Sequence, residues 1–231
     1  MIKAVFFDWY NTIARFYPPR EEQQVAACRQ LGVEVSPQAL RRAYPAADDF
    51  MTRENAFFAL RERPELEQQR FWAEYERMLL REAGVEVSAE LALQIIQEVR
   101  LHPSEFALFE DALPTLQEVK ARGLVLGLLS NLRRELDELC QRLGLTPYLD
   151  FTLTSAEVGF EKPHPAIFFE ALKRANVKPA QALHVGDQYH SDILGARGVG
   201  IRPLLLDRDG SWEEVKDCPR IKTLAEVLNY L

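Results

Sequence analysis

The sequence has few cysteines, no long apolar run and no cluster of basic residues. Only three of its 231 residues are cysteine, and Cys28, Cys140 and Cys218 lie far apart without CxxC spacing. This usage predicts reduced, structural thiols in a cytoplasmic protein rather than a disulfide framework. No apolar run reaches the roughly 18 residues that a membrane helix needs, so we expect no membrane span.

Charge and composition exclude further classes of protein. The formal net charge is −7 and the isoelectric point is about 5.3, with no basic block, so a nucleic-acid partner is not expected. The N-terminal apolar run stops at Asp8 and is too short for the core of a secretory signal. With 47% hydrophobic residues, the chain is long enough for one main core and a smaller second domain.

The N-terminal part of the chain changes from a strand pattern to a helical one. The continuous apolar run from Ile2 to Phe7 predicts a strand buried on both faces. From about Pro18 to Arg100, helical periodicity is divided by residues typical of helix ends. Four helices are predicted. The first runs from Pro18-Pro19 to Gly32, the second begins at Ser36-Pro37, the third runs from Pro64 to Gly84, and the fourth begins at Ser88. Aromatic residues at helical spacing predict core packing, with a substrate-facing surface as the alternative: Phe57, Phe58, Phe71, Trp72 and Tyr75.

After His102-Pro103, strand and helix patterns alternate. Strands are predicted at Leu124–Leu129, Phe151–Thr154, Ala182–Val185 and Ile201–Leu206, and helices at Leu113–Arg122, Arg133–Leu143, Pro163–Ala175 and His190–Arg197. This alternation predicts a parallel sheet covered by helices on both faces. The predicted fold class is therefore α/β, with a Rossmann-like parallel-sheet core at residues 1–14 and 104–231 and an inserted four-helix domain at residues 15–103.

Reactive side chains lie near the ends of the predicted strands. The segments that carry them are Asp8-Trp9-Tyr10-Asn11-Thr12, Ser130-Asn131, Lys162 in Gly159–Pro165, and Gly186–Asp192 with Asp187 and Asp192. The carboxyl ends of parallel strands share one edge of a sheet, which is where ligands bind. The four segments are therefore expected to meet in one crevice. His184 lies inside a predicted strand, which favours a supporting position over acid–base catalysis.

These four segments, in this order, resemble the four motifs of the haloacid dehalogenase superfamily. The inserted helices follow the first motif, as the helical (C1-type) cap of that superfamily does. The resemblance implies a hydrolase in which Asp8 is the nucleophile and in which Thr12, Ser130, Asn131 and Lys162 bind a phosphate. It further implies a Mg²⁺ ion held by Asp8, the backbone carbonyl of Tyr10, Asp187 and Asp192, and a cap that selects a small phosphorylated substrate.

The same chemistry follows from the residue types. A carboxylate such as Asp8 can attack phosphorus and form a covalent intermediate that water then opens. Lys162 can neutralise charge shared by Asp8 and a phosphate. Three carboxylates in one crevice repel one another unless a cation is present or some are protonated. A hard, oxygen-liganded cation such as Mg²⁺ removes this repulsion.

Two positions depart from the patterns of the superfamily: Tyr10 from that of the phosphatases and Asn11 from that of the dehalogenases. Tyr10 occupies the position of the second aspartate, which protonates the leaving group and activates water, and a phenol with a pKa near ~10 donates a proton but is a poor base. Aspartate-x-tyrosine is similar to the first motif of the metal-independent 2-haloacid dehalogenases. Asn11 stands where a glycine is usual. Asp187 and Asp192, in contrast, fit the metal-binding form.

Three functions therefore stay open. A Mg²⁺-dependent phosphatase is favoured by Asp187 and Asp192, and Tyr10 keeps open a 2-haloacid dehalogenase and a non-catalytic ligand-binding relative. For three of these residues a purely structural role is an alternative. Ser130 is suited to cap the next helix, Asp192 to interact with a helix dipole, and the Tyr10 ring to pack while only its carbonyl binds.

Overall fold

The structure is a computed structural model that describes residues 1–57, 60–132 and 136–231. Phe58 and the first three residues of the predicted helix Arg133–Leu143 lie outside the described residues, as does the side chain of Phe57. None of the described helices is both long enough and apolar enough to cross a membrane.

Four helices follow one another in the first half of the chain, and strands and helices alternate in the second half. The strands are β1 (Ala4–Asp8), β2 (Ala14–Tyr17), β3 (Glu105–Leu108), β4 (Val125–Ser130), β5 (Phe151–Thr154), β6 (Ala182–Gly186), β7 (Arg202–Leu206) and β8 (Arg220–Ile221). The α-helices are α1 (Arg20–Gln30), α2 (Pro37–Phe57), α3 (Glu65–Glu82), α4 (Ala89–Val99), α5 (Ala112–Ala121), α6 (Leu136–Arg142), α7 (Ser155–Val158), α8 (Pro165–Ala175) and α9 (Gly195–Gly198).

The chain divides into two compact units. The core unit contains Met1–Arg15 and Phe106–Leu231, and the helical unit contains Phe16–Glu105 with α1 to α4. That the helical unit acts as a cap stays a prediction.

A six-stranded sheet forms the centre of the core unit. Its strand order is β5-β4-β1-β6-β7-β8, and each pair of neighbours is parallel. The predicted α/β, Rossmann-like fold is therefore confirmed. All five residues of β1 are buried, as their continuous apolar run predicts for a central strand covered on both faces.

The helical unit follows the helix signals in its sequence. Ser36 accepts a hydrogen bond from the backbone N–H of Ala39, and Ser88 accepts one from that of Leu91, so each serine caps the helix that follows it. Gly32 and Gly84 end the preceding helices with positive φ angles of 76° and 86°. Phe71 and Tyr75 are buried in this unit's core, where Phe71 also stacks on Phe50, which agrees with core packing.

Three features of the fold differ from the sequence prediction. Strands β2 and β3 pair as a separate two-stranded sheet in segments where no strand was predicted. The short strand β8 adds an edge beyond the predicted last strand. The predicted helix His190–Arg197 is instead a π-helical turn, Tyr189–Leu194, followed by α9. Such π-helical turns occur frequently at functional sites.

Candidate active site

Three aspartates meet at the carboxyl edge of the sheet. Asp8 is the last residue of β1, Asp187 follows β6 directly, and Asp192 lies in the π-helical turn. Because β1 and β6 are neighbours in the sheet, their ends lie side by side. Each aspartate offers a carboxylate oxygen within 4.8 Å of those of the other two. The structure therefore brings together the three acids that the sequence placed in one crevice.

Lys162 lies between two of these carboxylates. Its Nζ donates hydrogen bonds to Asp8 Oδ1 at 2.5 Å and to Asp192 Oδ1 at 2.6 Å. A third bond reaches the carbonyl of Leu129 at 3.3 Å. Burial alone would lower the pKa of Lys162, but the charges of Asp192 and Asp8 raise it above its usual value. Lys162 is therefore a fixed positive charge rather than a proton carrier.

The two carboxylates that share Lys162 are not equivalent. Burial raises the pKa of Asp8 to about 6; Lys162 opposes this rise and the charge of Asp192 adds to it. Burial acts on Asp192 in the same direction, but Lys162 and His184 together hold its pKa below its usual value. Asp192 is thus a permanent anion, and Asp8 is ionised mainly above about pH 6.

The carboxylate of Asp192 is also hydrogen-bonded by the buried side chain of His184 and by a backbone N–H. His184 in β6 is fully buried, and its Nε2 lies 2.9 Å from Asp192 Oδ1. Burial lowers the pKa of His184, so the ring is neutral at pH 7 and its Nε2–H donates to the anionic Asp192. The backbone N–H of Gln188 donates to Asp192 Oδ2 at 3.2 Å. His184 therefore has the supporting position that its place inside a strand indicated.

Ser130 and Asn131 organise the second segment of the site. Ser130, at the end of β4, is buried, and its Oγ accepts a hydrogen bond from the N–H of Leu132 at 3.0 Å. The Asn131 side chain pairs with the backbone of Lys162: its Nδ2 donates to the carbonyl at 3.0 Å, and its Oδ1 accepts from the N–H at 2.7 Å. The Asn131 amide thus joins the second and third segments. A role of either residue in phosphate binding stays a prediction.

The loop after β1 explains one departure from the superfamily pattern. Asn11 has a φ of 59°, in the left-handed region that glycine adopts most easily and asparagine tolerates better than most residues. Asn11 therefore adopts a backbone conformation that suits the glycine usual at this position. Thr12 is fully buried, and no described residue pairs with its hydroxyl. The Tyr10 ring packs edge-on against Phe106, with 6.4 Å between ring centroids.

The donor set suits a hard divalent cation. Carboxylate oxygens are the ligands that Mg²⁺ prefers, and three of them lie close enough to share one ion. Lys162 neutralises at most one of the three carboxylate charges, so a further positive charge would stabilise the cluster. Asp8, Asp187 and Asp192 therefore fit a Mg²⁺ site. Asp192 accepts hydrogen bonds through both of its oxygens, from Lys162 and from the backbone N–H of Gln188.

Two residues near the site were missed from the sequence. Trp212 donates from its indole Nε1 to the backbone carbonyl of Asp187 at 2.9 Å. Arg208 donates to the backbone carbonyl of Thr12 at 3.1 Å and pairs with both oxygens of Asp111. Both residues lie beyond the last predicted strand, outside any motif, so the sequence pattern carries no signal for them.

Comparison with known proteins agrees with this geometry. The family model of the haloacid dehalogenase-like hydrolases matches residues 2–200. The haloacid dehalogenase-like hydrolase domain-containing protein 3 of Homo sapiens is 33% identical, over 89% of this chain and 82% of its own length. A glyceraldehyde 3-phosphate phosphatase of Methanothermobacter thermautotrophicus is 32% identical, over 90% of this chain and 87% of its own length.

Among solved structures, a 2-haloacid dehalogenase from Pseudomonas syringae pv. Tomato is 27% identical, with a TM-score of 0.57. The match covers 99% of this chain and 97% of that one. The family match spans all four segments of the site, and both relatives align over most of their length. The chain therefore belongs to the haloacid dehalogenase-like hydrolases.

Proposed function

We propose that the protein is a Mg²⁺-dependent phosphatase that hydrolyses a small phosphorylated metabolite through an aspartyl-phosphate at Asp8. The observation that carries the proposal is the cluster of Asp8, Asp187 and Asp192, in which Lys162 pairs with Asp8 and Asp192. Without a metal ion, three ionised carboxylates this close together would repel one another. The similarity to a glyceraldehyde 3-phosphate phosphatase supports the phosphatase reading.

The first step would use Asp8 and Lys162. Asp8, which is mainly ionised at pH 7, attacks phosphorus while the bond to the leaving oxygen breaks. Lys162, held by Asp8 and Asp192, places a fixed positive charge beside the nucleophile, where negative charge accumulates on the phosphoryl oxygens. Asp192 in turn keeps Lys162 in place. Ser130, Asn131 and Thr12 would bind the remaining phosphate oxygens.

The cation site would consist of Asp8, Asp187, the backbone carbonyl of Tyr10 and, directly or through water, Asp192. When bound, Mg²⁺ supplies positive charge that offsets the carboxylates and the phosphoryl oxygens. In the first step the Tyr10 phenol, with an ordinary pKa of about 10, would give its proton to the leaving oxygen and become a phenolate. In the second step water would attack the aspartyl-phosphate and give a proton to that phenolate, so that phosphate is released and the Asp8 carboxylate and the Tyr10 phenol are both regenerated.

A cytoplasmic location is part of the same proposal. Cys28 and Cys140 are buried free thiols whose pKa values burial raises to about 11 and about 12. Protonated thiols of this kind suit a reducing compartment. Small phosphorylated metabolites are also found there, so substrate and location are consistent.

A 2-haloacid dehalogenase is the second candidate. Tyr10 and the similarity to a solved 2-haloacid dehalogenase favour it. In that reaction Asp8 would attack the carbon that carries the halogen, and halide would leave without needing a proton. The acidic cluster weighs against this candidate. The dehalogenase reaction uses no cation, so the negative charges of Asp187 and Asp192 would have no metal ion to balance them.

The test is hydrolysis of p-nitrophenyl phosphate by the wild type and by Asp8→Asn, with Mg²⁺ and with EDTA. Turnover should require Mg²⁺ and should disappear in the variant. Asp137→Asn makes the same isosteric change at an exposed position of the core unit and should keep wild-type turnover. A panel of small sugar phosphates that includes glyceraldehyde 3-phosphate would then define the substrate.

The contrary outcomes separate the candidates. Chloride release from 2-chloropropionate in EDTA, without phosphate release, would overturn the phosphatase proposal in favour of the dehalogenase. Absence of both activities, together with Mg²⁺ binding by calorimetry, would leave a ligand-binding relative.

A further inference from the structure

Trp212 contacts the backbone of a residue in the acidic cluster. Its indole Nε1–H donates to the carbonyl of Asp187 at 2.9 Å. The same residue's Cα carries the carboxylate of the cluster, and a single backbone torsion, ψ, separates that Cα from the bonded carbonyl. Fixing the carbonyl holds the peptide plane that follows Asp187, and so limits where the Cα and the side chain on it can lie. Trp212 makes this bond to the backbone and not to the carboxylate itself.

The position of Trp212 is itself fixed by the end of the sheet. Its backbone N–H donates to Asp207 Oδ1 at 3.3 Å. Asp207 is only 3% exposed, and its other oxygen accepts a hydrogen bond from Arg220 at 3.1 Å. The N–H of Asp207 donates to the carbonyl of Ile221 in β8 at 2.8 Å. The indole is thus tied to β7 and β8 rather than to a free surface loop.

A second brace connects the same segment to the π-helical turn. The ring of Tyr189 lies 6.1 Å from that of Trp212, and its hydroxyl donates to Asp217 Oδ2 at 2.7 Å. Arg197 donates to the same oxygen at 2.6 Å. Residues 207–217 therefore hold the acidic loop at Asp187 and again at Tyr189.

We propose that Trp212 is a positioning residue that orients Asp187 as a ligand for a divalent cation. The inference rests on the proposed function, because it requires the acidic cluster to bind Mg²⁺. Mg²⁺ needs near-ideal octahedral geometry, so a small freedom in one ligand weakens binding. Loss of a hydrogen bond that orients a ligand typically costs about 10-fold or more in metal affinity.

Trp212→Phe tests the proposal, because phenylalanine keeps an aromatic ring but lacks the N–H donor. Mg²⁺ affinity would be measured by isothermal titration calorimetry on the full chain, with thermal unfolding in EDTA as the measure of fold. We expect a dissociation constant weakened about 10-fold and recovery of phosphatase activity at raised Mg²⁺. Trp72→Phe is the matched control; Trp72 lies in the helical unit and should leave Mg²⁺ affinity unchanged.

A second measurement is made on the wild type, so it does not require Trp212→Phe to fold. Wild-type protein labelled with 5-fluorotryptophan has three labelled positions: Trp9, Trp72 and Trp212. Saturating Mg²⁺ should shift the fluorine resonance of Trp212 and leave that of Trp72 in place. Assignments come from the Trp9→Phe and Trp72→Phe variants.

The outcomes distinguish this inference from the proposed function. If the wild type binds Mg²⁺ but Trp212→Phe binds it equally well, or the Trp212 resonance does not move, the positioning role is overturned and the phosphatase proposal stands. If the wild type binds no Mg²⁺, both are overturned. A lower unfolding temperature with unchanged Mg²⁺ affinity would show a purely structural tryptophan and overturn the inference.

Discussion

Glu76 provides a test of the helical unit that does not depend on function. Its side chain, in α3, is fully buried. Oε1 accepts a hydrogen bond from Gln24 at 2.5 Å, and no described residue pairs with Oε2. Burial raises the pKa of Glu76 from 4.5 to about 8, and the bond from Gln24 offsets only part of the rise. We expect Glu76→Gln, which keeps the shape and removes the charge, to stabilise the protein above about pH 5.

The sign and size follow from proton binding. Between pH 4.5 and about 8 the unfolded chain loses this proton while the folded protein keeps it, so stability falls as pH rises. At ~1.36 kcal/mol per unit, the whole shift corresponds to about 5 kcal/mol, of which about 3 kcal/mol is lost between roughly pH 5.5 and pH 8. The pKa of the neighbouring Cys28 thiol is about 11, so that group stays neutral over this range.

The assay is urea unfolding followed by circular dichroism at several pH values. The free energy of unfolding of Glu76→Gln minus that of the wild type should grow by about 3 kcal/mol from pH 5.5 to pH 8. Hydrogen exchange of α3 amides would show that the effect lies in the helical unit. Glu82→Gln, an exposed change on the same helix, should differ from wild type by less than about 0.5 kcal/mol at every pH. Parallel pH curves for Glu76→Gln and wild type would refute the reasoning.

Two further predictions concern the core unit. In Gly186→Ala the new Cβ would lie 2.2 Å from the Cγ of the buried Asp192, so we expect the free energy of unfolding to fall by about 2 kcal/mol or more and activity to be lost. Gly198→Ala, where a Cβ meets nothing within 4 Å, should keep both near wild type, and equal thermal unfolding of the two variants would contradict this packing. Lys162→Met leaves two buried carboxylates without their shared cation, so in EDTA we expect a loss of about 3–5 kcal/mol at pH 7 that shrinks toward pH 5 as the carboxylates take up protons. A loss that does not change with pH would contradict the ion pairing.

The sheet was predictable because its signals are local. β1, β4 and β6 are short apolar runs, and each carries a polar residue where the strand ends, so their order and their shared edge follow from the chain. β2 was missed because it is only four residues long and contains Arg15, so it lacks the continuous apolar run of a core strand.

The site was predictable only in part. Asp8, Lys162, Asp187 and Asp192 lie within motifs, and the structure brings their side chains together. Trp212 was not predictable, because its relation to the acidic loop depends on where β7 and β8 place the following segment. The pKa values of the carboxylates were equally out of reach, since they depend on burial and on distances between residues far apart in sequence.

The core unit consists of two separate stretches of sequence, so the first strand of its six-stranded sheet is synthesised before the helical unit and the other strands of that sheet are synthesised after it. β1 is synthesised long before its partners, since Ala4 pairs with Val125 on one side and Ala182 on the other. The entire helical unit is synthesised before β1 has any neighbour in the sheet. A nascent chain therefore carries β1 as an unpaired apolar strand until β4 has been made, which is the kind of segment that chaperones bind and that aggregates when they do not.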